Sequence, residues 1–330
     1  MKKYLSILLA AVLCAGAFSA CNKKETVTLY STSEDFRNEA ARKMLNERFP
    51  DYEINLIDID NGTLAAKLVA EGTETDADII LELESTYLEK VSDSLAPLDT
   101  VDFSVYEESL VPENHKYVPY ALNGGSIIVD PEALAEKGIP MPTCYDDLLK
   151  PEFKGLLSMP NPKSSGTGYM FLLNMVNDRG EDAAFAYFDK FAENISGQGF
   201  TTSGSGPVNA LVTGEAAVGL GMTFHAVQAI NQGSDFELLF FQDETGGGSP
   251  YSLYSSAVIA GRETNKAVME VFDYIVTEIA PVDKQLYAPE KIYKNQEILV
   301  ENYPKNIPYG NMNGNQDIAL KERLLDRWKY

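Results

Sequence analysis

The sequence predicts an α/β protein built around two sheets, and three observations carry that reading. Residues 27–82 alternate strand, helix, strand, helix and strand, an order that makes a largely parallel sheet with helices on its faces. Two segments, 117–129 and 246–250, have the composition of crossings that carry the chain from one sheet to another and back. The chain has 330 residues, 45% of them hydrophobic, enough to bury a large core that proteins of this length usually divide in two.

Taken in order, the elements begin after an export leader. Lys2 and Lys3 give a positive start, Leu5 to Gly16 an apolar run too short to span a bilayer, and Phe18-Ser19-Ala20 a cleavage region. Cys21 follows directly, and small residues before such a cysteine resemble the lipobox of bacterial lipoproteins, with Phe18 where leucine is usual. The resemblance implies lipidation of Cys21. Ordinary cleavage, leaving a free thiol, is the alternative.

Val27 to Tyr30 then reads as a strand ending in Ser31-Thr32-Ser33. Glu34 to Phe49 reads as a helix, because Phe36, Ala40, Met44 and Leu45 recur near the 3.6 period and acids fill the first turn; Pro50 stops it. Glu53 to Asp58 is a second strand, Gly62 to Glu71 a helix and Asp78 to Glu82 a third strand. In such sheets ligands collect beyond the carboxyl ends of the strands, so Ser31-Thr32-Ser33 and Glu82-Leu83-Glu84-Ser85 should stand side by side. The crossing Tyr117 to Val129 follows. Helices are expected at Tyr169 to Val176, Asp182 to Ala192, Val208 to Gly214 and Asn265 to Glu278, and strands at Ala216 to Leu220 and Ser256 to Ala260.

Charge and motifs exclude several functions. There are 49 acidic against 27 basic residues, a net charge of −22, and losing Lys2 and Lys3 with the leader makes it more negative. Such a chain repels nucleic acid and anionic lipid. It has two histidines and no metalloprotease, serine-hydrolase, dinucleotide or P-loop spacing, which argues against an enzyme. No cofactor or metal is expected. Past Cys14 and Cys21 only Cys144 remains, so no disulfide forms within the mature body.

Several blocks occur in a specific order: Leu29-Tyr30-Ser31, Tyr145 through Pro151-Glu152-Phe153-Lys154-Gly155, Asn161-Pro162 through Ser165-Gly166-Thr167, Gly214 through Gly219, and Ser256 through Gly261. Together they resemble bacterial ABC-transporter solute-binding proteins of the two-lobed type II class, in the branch with ferric-ion, aminoalkylphosphonate and sugar-phosphate binders. The resemblance implies two α/β lobes, each a mostly parallel sheet flanked by helices, joined by a hinge of two crossing segments. Residues 1–20 would be the leader, 21–118 with 250–330 the first lobe and 119–249 the second. It further implies a monomer, exported and lipid-anchored at the outer face of the cytoplasmic membrane or in the periplasm, that hands a small solute to ABC permease subunits without chemistry.

Site candidates follow. Ser164, Ser165, Gly166 and Thr167 at a helix start offer hydroxyls and free backbone N–H groups to a phosphate, phosphonate or carboxylate, or else merely cap the helix. Ser203, Gly204 and Ser205 carry the same chemistry, or form a plain turn. After the strand at 216–220, Thr223, Phe224 and His225 stand where ferric binders have adjacent tyrosines; Phe224 cannot ligate metal, while His225 either bonds a phosphate or hydroxyl or only its neighbours. Ser31, Thr32, Ser33, Glu34, Glu84 and Ser85 form the first lobe's half. There Glu34, Glu82, Glu84 and, near the glycine run, Glu244 would welcome an ammonium group or sugar hydroxyls, or are simply solvated. Tyr120, Tyr251 and Tyr254 near the crossings can close over a ligand or belong to the core. The solute so described has a phosphate or phosphonate at one end and an amine or hydroxyls at the other. Ferric ion held by Tyr120, Tyr251, Tyr254, His225 and Glu34 is the alternative, and a surface lipoprotein outside transport is an alternative of another class.

Overall fold

The computed structural model describes residues 24–242 and 247–330. The leader, Cys21 and Glu244 lie outside the described residues. The chain opens with β1 (Glu25–Ser31), α1 (Asp35–Arg48), β2 (Tyr52–Asp58), α2 (Asn61–Glu71) and β3 (Ile79–Glu84), the alternation expected, and α3 (Ser85–Lys90) leaves directly from β3. Then come β4 (Val118–Val129), α4 (Pro131–Glu136), the short β5 (Leu157–Ser158), α5 (Gly166–Arg179), α6 (Glu181–Phe191) and α7 (Gly206–Val212). They are followed by β6 (Val218–Met222), α8 (Thr223–Asn231), β7 (Glu237–Leu239), β8 (Tyr251–Val258), α9 (Lys266–Tyr274), α10 (Ala280–Leu286) and α11 (Ile318–Arg327). The helix expected over 265–278 loosens after Tyr274 into a π-helical turn, Ile275–Ile279.

The strand order is β2-β1-β3-β8-β4-β6-β5, with β7 also on β4. Strand β4 makes both sheets. Its residues 118–124 pair with β8, and residues 125–129 pair with β6 and β7. Parallel pairing is confined to β2-β1-β3 and β5-β6, because the crossing strands β4 and β8 run against their neighbours; both sheets are therefore mixed rather than mostly parallel. At the bend of β4, Gly125 has no room for a side chain: a Cβ there would lie 2.9 Å from atoms of Met170, Phe171 and Pro250.

Period-two alternation puts the inner strands between two apolar layers. Val27, Leu29, Ile79 and Leu81 face one core of the first sheet, while Tyr30, Ile80 and Leu83 face the other. In the second sheet Ile127 and Val129 point into a core with Leu157, Phe171, Phe188 and Phe191, and Ile128 points the opposite way onto Val208 and Leu211. The C-terminal part does not stay with the first lobe, where it was expected. Ile292 belongs to the first core, but Ile298, Val300, Tyr303 and Ile307 pack with Phe224 and Val227 of α8, and Met312, Leu324 and Trp328 enter the second core. The chain thus passes between the cores a third time, because the apolar face of α11 fits the aromatic layer of α6. Among the described residues no helix is long and apolar enough to cross a membrane, and Cys144 is partly buried and free.

Candidate functional site

Strand ends of the first sheet meet helix starts of the second. On the first side, Ser31 is fully buried and its hydroxyl donates to Asn38 Oδ1 at 2.7 Å. The Thr32 hydroxyl donates to the Glu82 carbonyl and the Ser33 hydroxyl to Glu82 Oε2. The two loops therefore do stand side by side, held by these hydroxyls. Glu82 has φ 55°, in the left-handed region, at a register shift of β3, which turns its carboxylate inward.

That carboxylate belongs to a buried network centred on Arg37. The guanidinium grips Asp283 with two bonds of 2.8 Å and donates through Nη1 to Glu34 at 2.9 Å and to Glu82 at 2.8 Å. Lys284 adds a bond of 3.0 Å to Asp283, and Tyr120 lies under both cations, its ring centroid 5.9 Å from the Arg37 guanidinium carbon and 5.4 Å from Lys284 Nζ. Burial pushes the Glu82 carboxyl up. Burial also acts to raise Glu34 and Asp283, but His225 and Arg37 hold Glu34 well below the usual carboxylate range, and Arg37 with Lys284 holds Asp283 down.

Glu84 is buried too, and both its oxygens accept from Lys321 Nζ, at 2.7 and 2.9 Å. Asn61 at the start of α2 exchanges bonds of 3.2 Å with its side chain and its backbone N–H. Ser85 turns away, its hydroxyl 2.8 Å from that of Ser255. Tyr251 packs edge-on to Tyr309. Tyr254 reaches the junction: a Cβ on Gly166 would lie 3.2 Å from its hydroxyl and 3.6 Å from Glu84 Oε2.

On the second side α5 and α8 leave the ends of the parallel neighbours β5 and β6. Ser165 precedes α5 without capping it, the exposed Ser164 hydroxyl lies 3.4 Å from the Asn161 carbonyl, and Thr167 is buried. Gly168 lets this helix start sit on the loop before it, since a Cβ would fall 2.4 Å from the Pro160 carbonyl oxygen. Gly204 packs against Thr167 and Met222, so the turn of Ser203 and Ser205, whose hydroxyls are 3.1 Å apart, sits between the two helix starts.

No side chain caps α8, whereas Asp60, Asp130, Asn265 and Asp317 cap α2, α4, α9 and α11. Thr223, the first residue of α8, is 0% exposed and its Oγ1 has no hydrogen-bond partner among the described residues; neither does the buried Nδ1 of His225. His225 Nε2 lies 3.7 Å from Glu34 Oε1, and Phe224 stacks near Phe36 with ring centroids 6.4 Å apart. Orphaned polar atoms at an uncapped helix start mark where an anion would complete the structure. Thr223, Phe224 and His225 do follow the expected strand, and they form the first turn of α8. Arg37, Lys284 and Lys321 carry no sequence signal of a site, because each stands beside other polar residues of a helix, where charge ordinarily means a solvated face.

Comparison with known proteins adds the lineage. Residues 76–280 match the model of the bacterial extracellular solute-binding protein family. An uncharacterized protein of Haemophilus influenzae is 26% identical over 267 residues, 76% of this chain and 73% of that protein. The phosphoglycerate transport regulatory protein PgtC of Salmonella typhimurium is 25% identical over 146 residues, 43% of this chain but only 36% of its own length. Among solved structures, the periplasmic binding protein AfuA from Actinobacillus pleuropneumoniae, with exogenous fructose-6-phosphate bound, superposes with a TM-score of 0.77 at 21% identity, covering 93% of this chain and 98% of that one. Iron-bound HitA from Pseudomonas aeruginosa gives 0.71 at 16% identity, covering 92% and 99%. At these identities the structural likeness is one of fold.

Proposed function

We propose that this chain, which belongs to the bacterial extracellular solute-binding protein family, captures a small solute bearing a phosphate or phosphonate between its lobes and delivers it to an ABC permease. The observation that carries the anion is the start of α8, where Thr223 Oγ1 and His225 Nδ1 are buried without hydrogen-bond partners among the described residues, beside the uncapped start of α5. Two helix N-termini and a hydroxyl supply hydrogen-bond donors and positive dipole ends, the chemistry that phosphate oxygens need.

The other end of the solute is best read as hydroxylated rather than cationic. Glu34, Glu82 and Asp283 share Arg37, and Glu84 has Lys321. A carboxylate already matched to a buried cation has little to gain from an ammonium group, but Asn61 and Tyr254 still offer acceptors and donors to sugar hydroxyls. AfuA with fructose-6-phosphate bound and the phosphoglycerate transport regulatory protein PgtC, both similar to this chain, support this class. Ferric ion finds less support: Tyr120 lies beneath Arg37 and Lys284, Tyr251 packs on Tyr309, and Glu34 is already paired with Arg37. We take the lobes to be residues 21–118 with 250–297, and 119–249 with the tail from 298, and the working form to be a monomer lipidated at Cys21.

Thermal unfolding against sugar phosphates, phosphonates, amino acids, polyamines and ferric citrate tests the reading. A ligand at a hundred times its Kd adds about 2.7 kcal/mol to stability, and the expected shift comes with phosphorylated, hydroxylated compounds. Thr223→Val, and separately Ser165→Ala with Thr167→Ala, should each weaken that binding by about 1–3 kcal/mol through lost bonds to a charged group. Unchanged affinity in both overturns the anion assignment. A response to iron alone moves the reading to ferric transport, and silence across the panel to a surface lipoprotein outside transport.

A further inference from the structure

We infer that the C-terminal helix is a clasp across the solute cleft, with Lys321 as the positioning residue that fixes Glu84 and cancels its charge beside the anion. One face of α11 is rooted in the second lobe. Leu324 and Trp328 lie in its core, Arg327 pairs with Glu181 at 2.9 Å, and Tyr330 bonds Asp189 through its hydroxyl at 3.0 Å and accepts at its carbonyl from Asn161, in the loop before α5, at 3.0 Å. The N-terminal half of the same helix holds the first lobe. Lys321, 4% exposed, donates twice to Glu84, 1% exposed, and Glu322 pairs with Lys90 at 3.0 Å. The Thr86 hydroxyl also donates to the Asn315 carbonyl, just ahead of the helix.

The ammonium sits between two rings, its Nζ 4.5 Å from the centroid of Tyr87 in the first lobe and 4.7 Å from that of Tyr169 in α5. It is therefore at the seam itself. If the lobes part with α11 on the second, this buried pair must break, exchanging its two charge-assisted bonds and its ring contacts for hydration. If the pair holds, α11 must leave the second core. In either case the seam is tied by a connection separate from the two crossing strands. Glu84 would also stand within reach of the start of α5, and without a cation its charge would repel a phosphate there. That second effect rests on the anion reading proposed above; the clasp does not.

The test uses the mature chain with Lys321→Met, Lys321→Arg, Glu84→Gln and the double variant Lys321→Met with Glu84→Gln. Small-angle scattering of the ligand-free proteins should show a larger radius of gyration for Lys321→Met than for the wild type, with Lys321→Arg near the wild type. Titration with a sugar phosphate should show affinity lowered about tenfold or more in Lys321→Met and largely restored in the double variant, because the repelling carboxylate is then gone. A general packing role for Lys321 predicts no such rescue. A compact Lys321→Met protein that binds like the wild type overturns the clasp and the charge role together. Loss of affinity without rescue overturns the charge role. If the wild type binds no phosphorylated compound but Lys321→Met still expands, the anion reading fails and the clasp stands.

Discussion

Replacing Arg37 by Met should lower the unfolding free energy by about 3–5 kcal/mol, the cost of removing one partner from a buried ionic cluster. Among the described residues the guanidinium is the only group that touches Asp283, Glu82 and Glu34 together, at 2.8 to 2.9 Å. Methionine has nearly the right shape but would leave three carboxylates facing one another, with Lys284 hydrogen-bonded to one of them, Asp283. The sign of the pH dependence follows. Deprived of Arg37, these buried acids take up protons more readily than in the unfolded chain, so the variant gains stability relative to the wild type as pH falls. Urea unfolding at pH 8 and pH 5 checks both points: the deficit should be larger at pH 8. A loss below about 1 kcal/mol at pH 8 would mean that the cluster behaves as a solvated surface network. Arg37→Lys should recover only part of the loss, since a single ammonium cannot reproduce the two-pronged contact with Asp283.

Much of the frame that holds this cluster was legible in advance. Val27, Leu29, Ile54, Leu56, Ile79 and Leu81 are strand formers with the right alternation, and they became β1, β2 and β3 within a residue or two of the expected bounds at most ends. Such patterns are local and need no partner to be read. The start of α8 failed for the opposite reason. Thr223-Phe224-His225 lacks the capping side chain by which helices are recognised, and that lack is the feature the anion reading uses. Arg37 and Lys321 were invisible for a third reason. Each sits in a helix where charge normally means solvent, and their burial appears only when acids from distant positions, 34, 82 and 283 for one and 84 for the other, converge on them. The acids Glu34 and Glu84 were singled out, but without their cations they left an ammonium group and sugar hydroxyls equally open. With the cations in place the same residues favour hydroxyls. The third passage between cores was missed likewise, because α11 is mostly polar and its apolar face is completed by Leu324 and Trp328 against residues far away in sequence.

Glu290 leads to the second large effect, at the crossing itself. Its side chain is 1% exposed, Oε1 accepts from the Gly124 N–H at 3.0 Å, and Oε2 has no hydrogen-bond partner among the described residues by geometry. Gly124 is the last residue of β4 paired with β8 before the strand turns to the second sheet. Burial pushes the carboxyl up to about 7 from an ordinary 4.5; the Tyr303 hydroxyl and the Gly124 amide oppose it, and the more distant charge of Lys284 does so weakly. Between those two pH values the folded protein keeps a proton that the unfolded chain releases. Stability from this group is therefore fully present below about pH 4.5 and is lost as pH rises through about 7, by about 3 kcal/mol in all. Glu82, also pushed up by burial, slopes the same way, so the informative quantity is the difference between the wild type and Glu290→Gln. Glutamine keeps an acceptor for the Gly124 amide and cannot ionise. Denaturant unfolding at half-unit steps from pH 5 to 8 should show the wild type losing stability more steeply than Glu290→Gln up to about pH 7, after which the two curves run parallel. Parallel curves throughout would mean that the carboxyl titrates like an exposed one, and that the crossing strand is held without a protonated acid beside it.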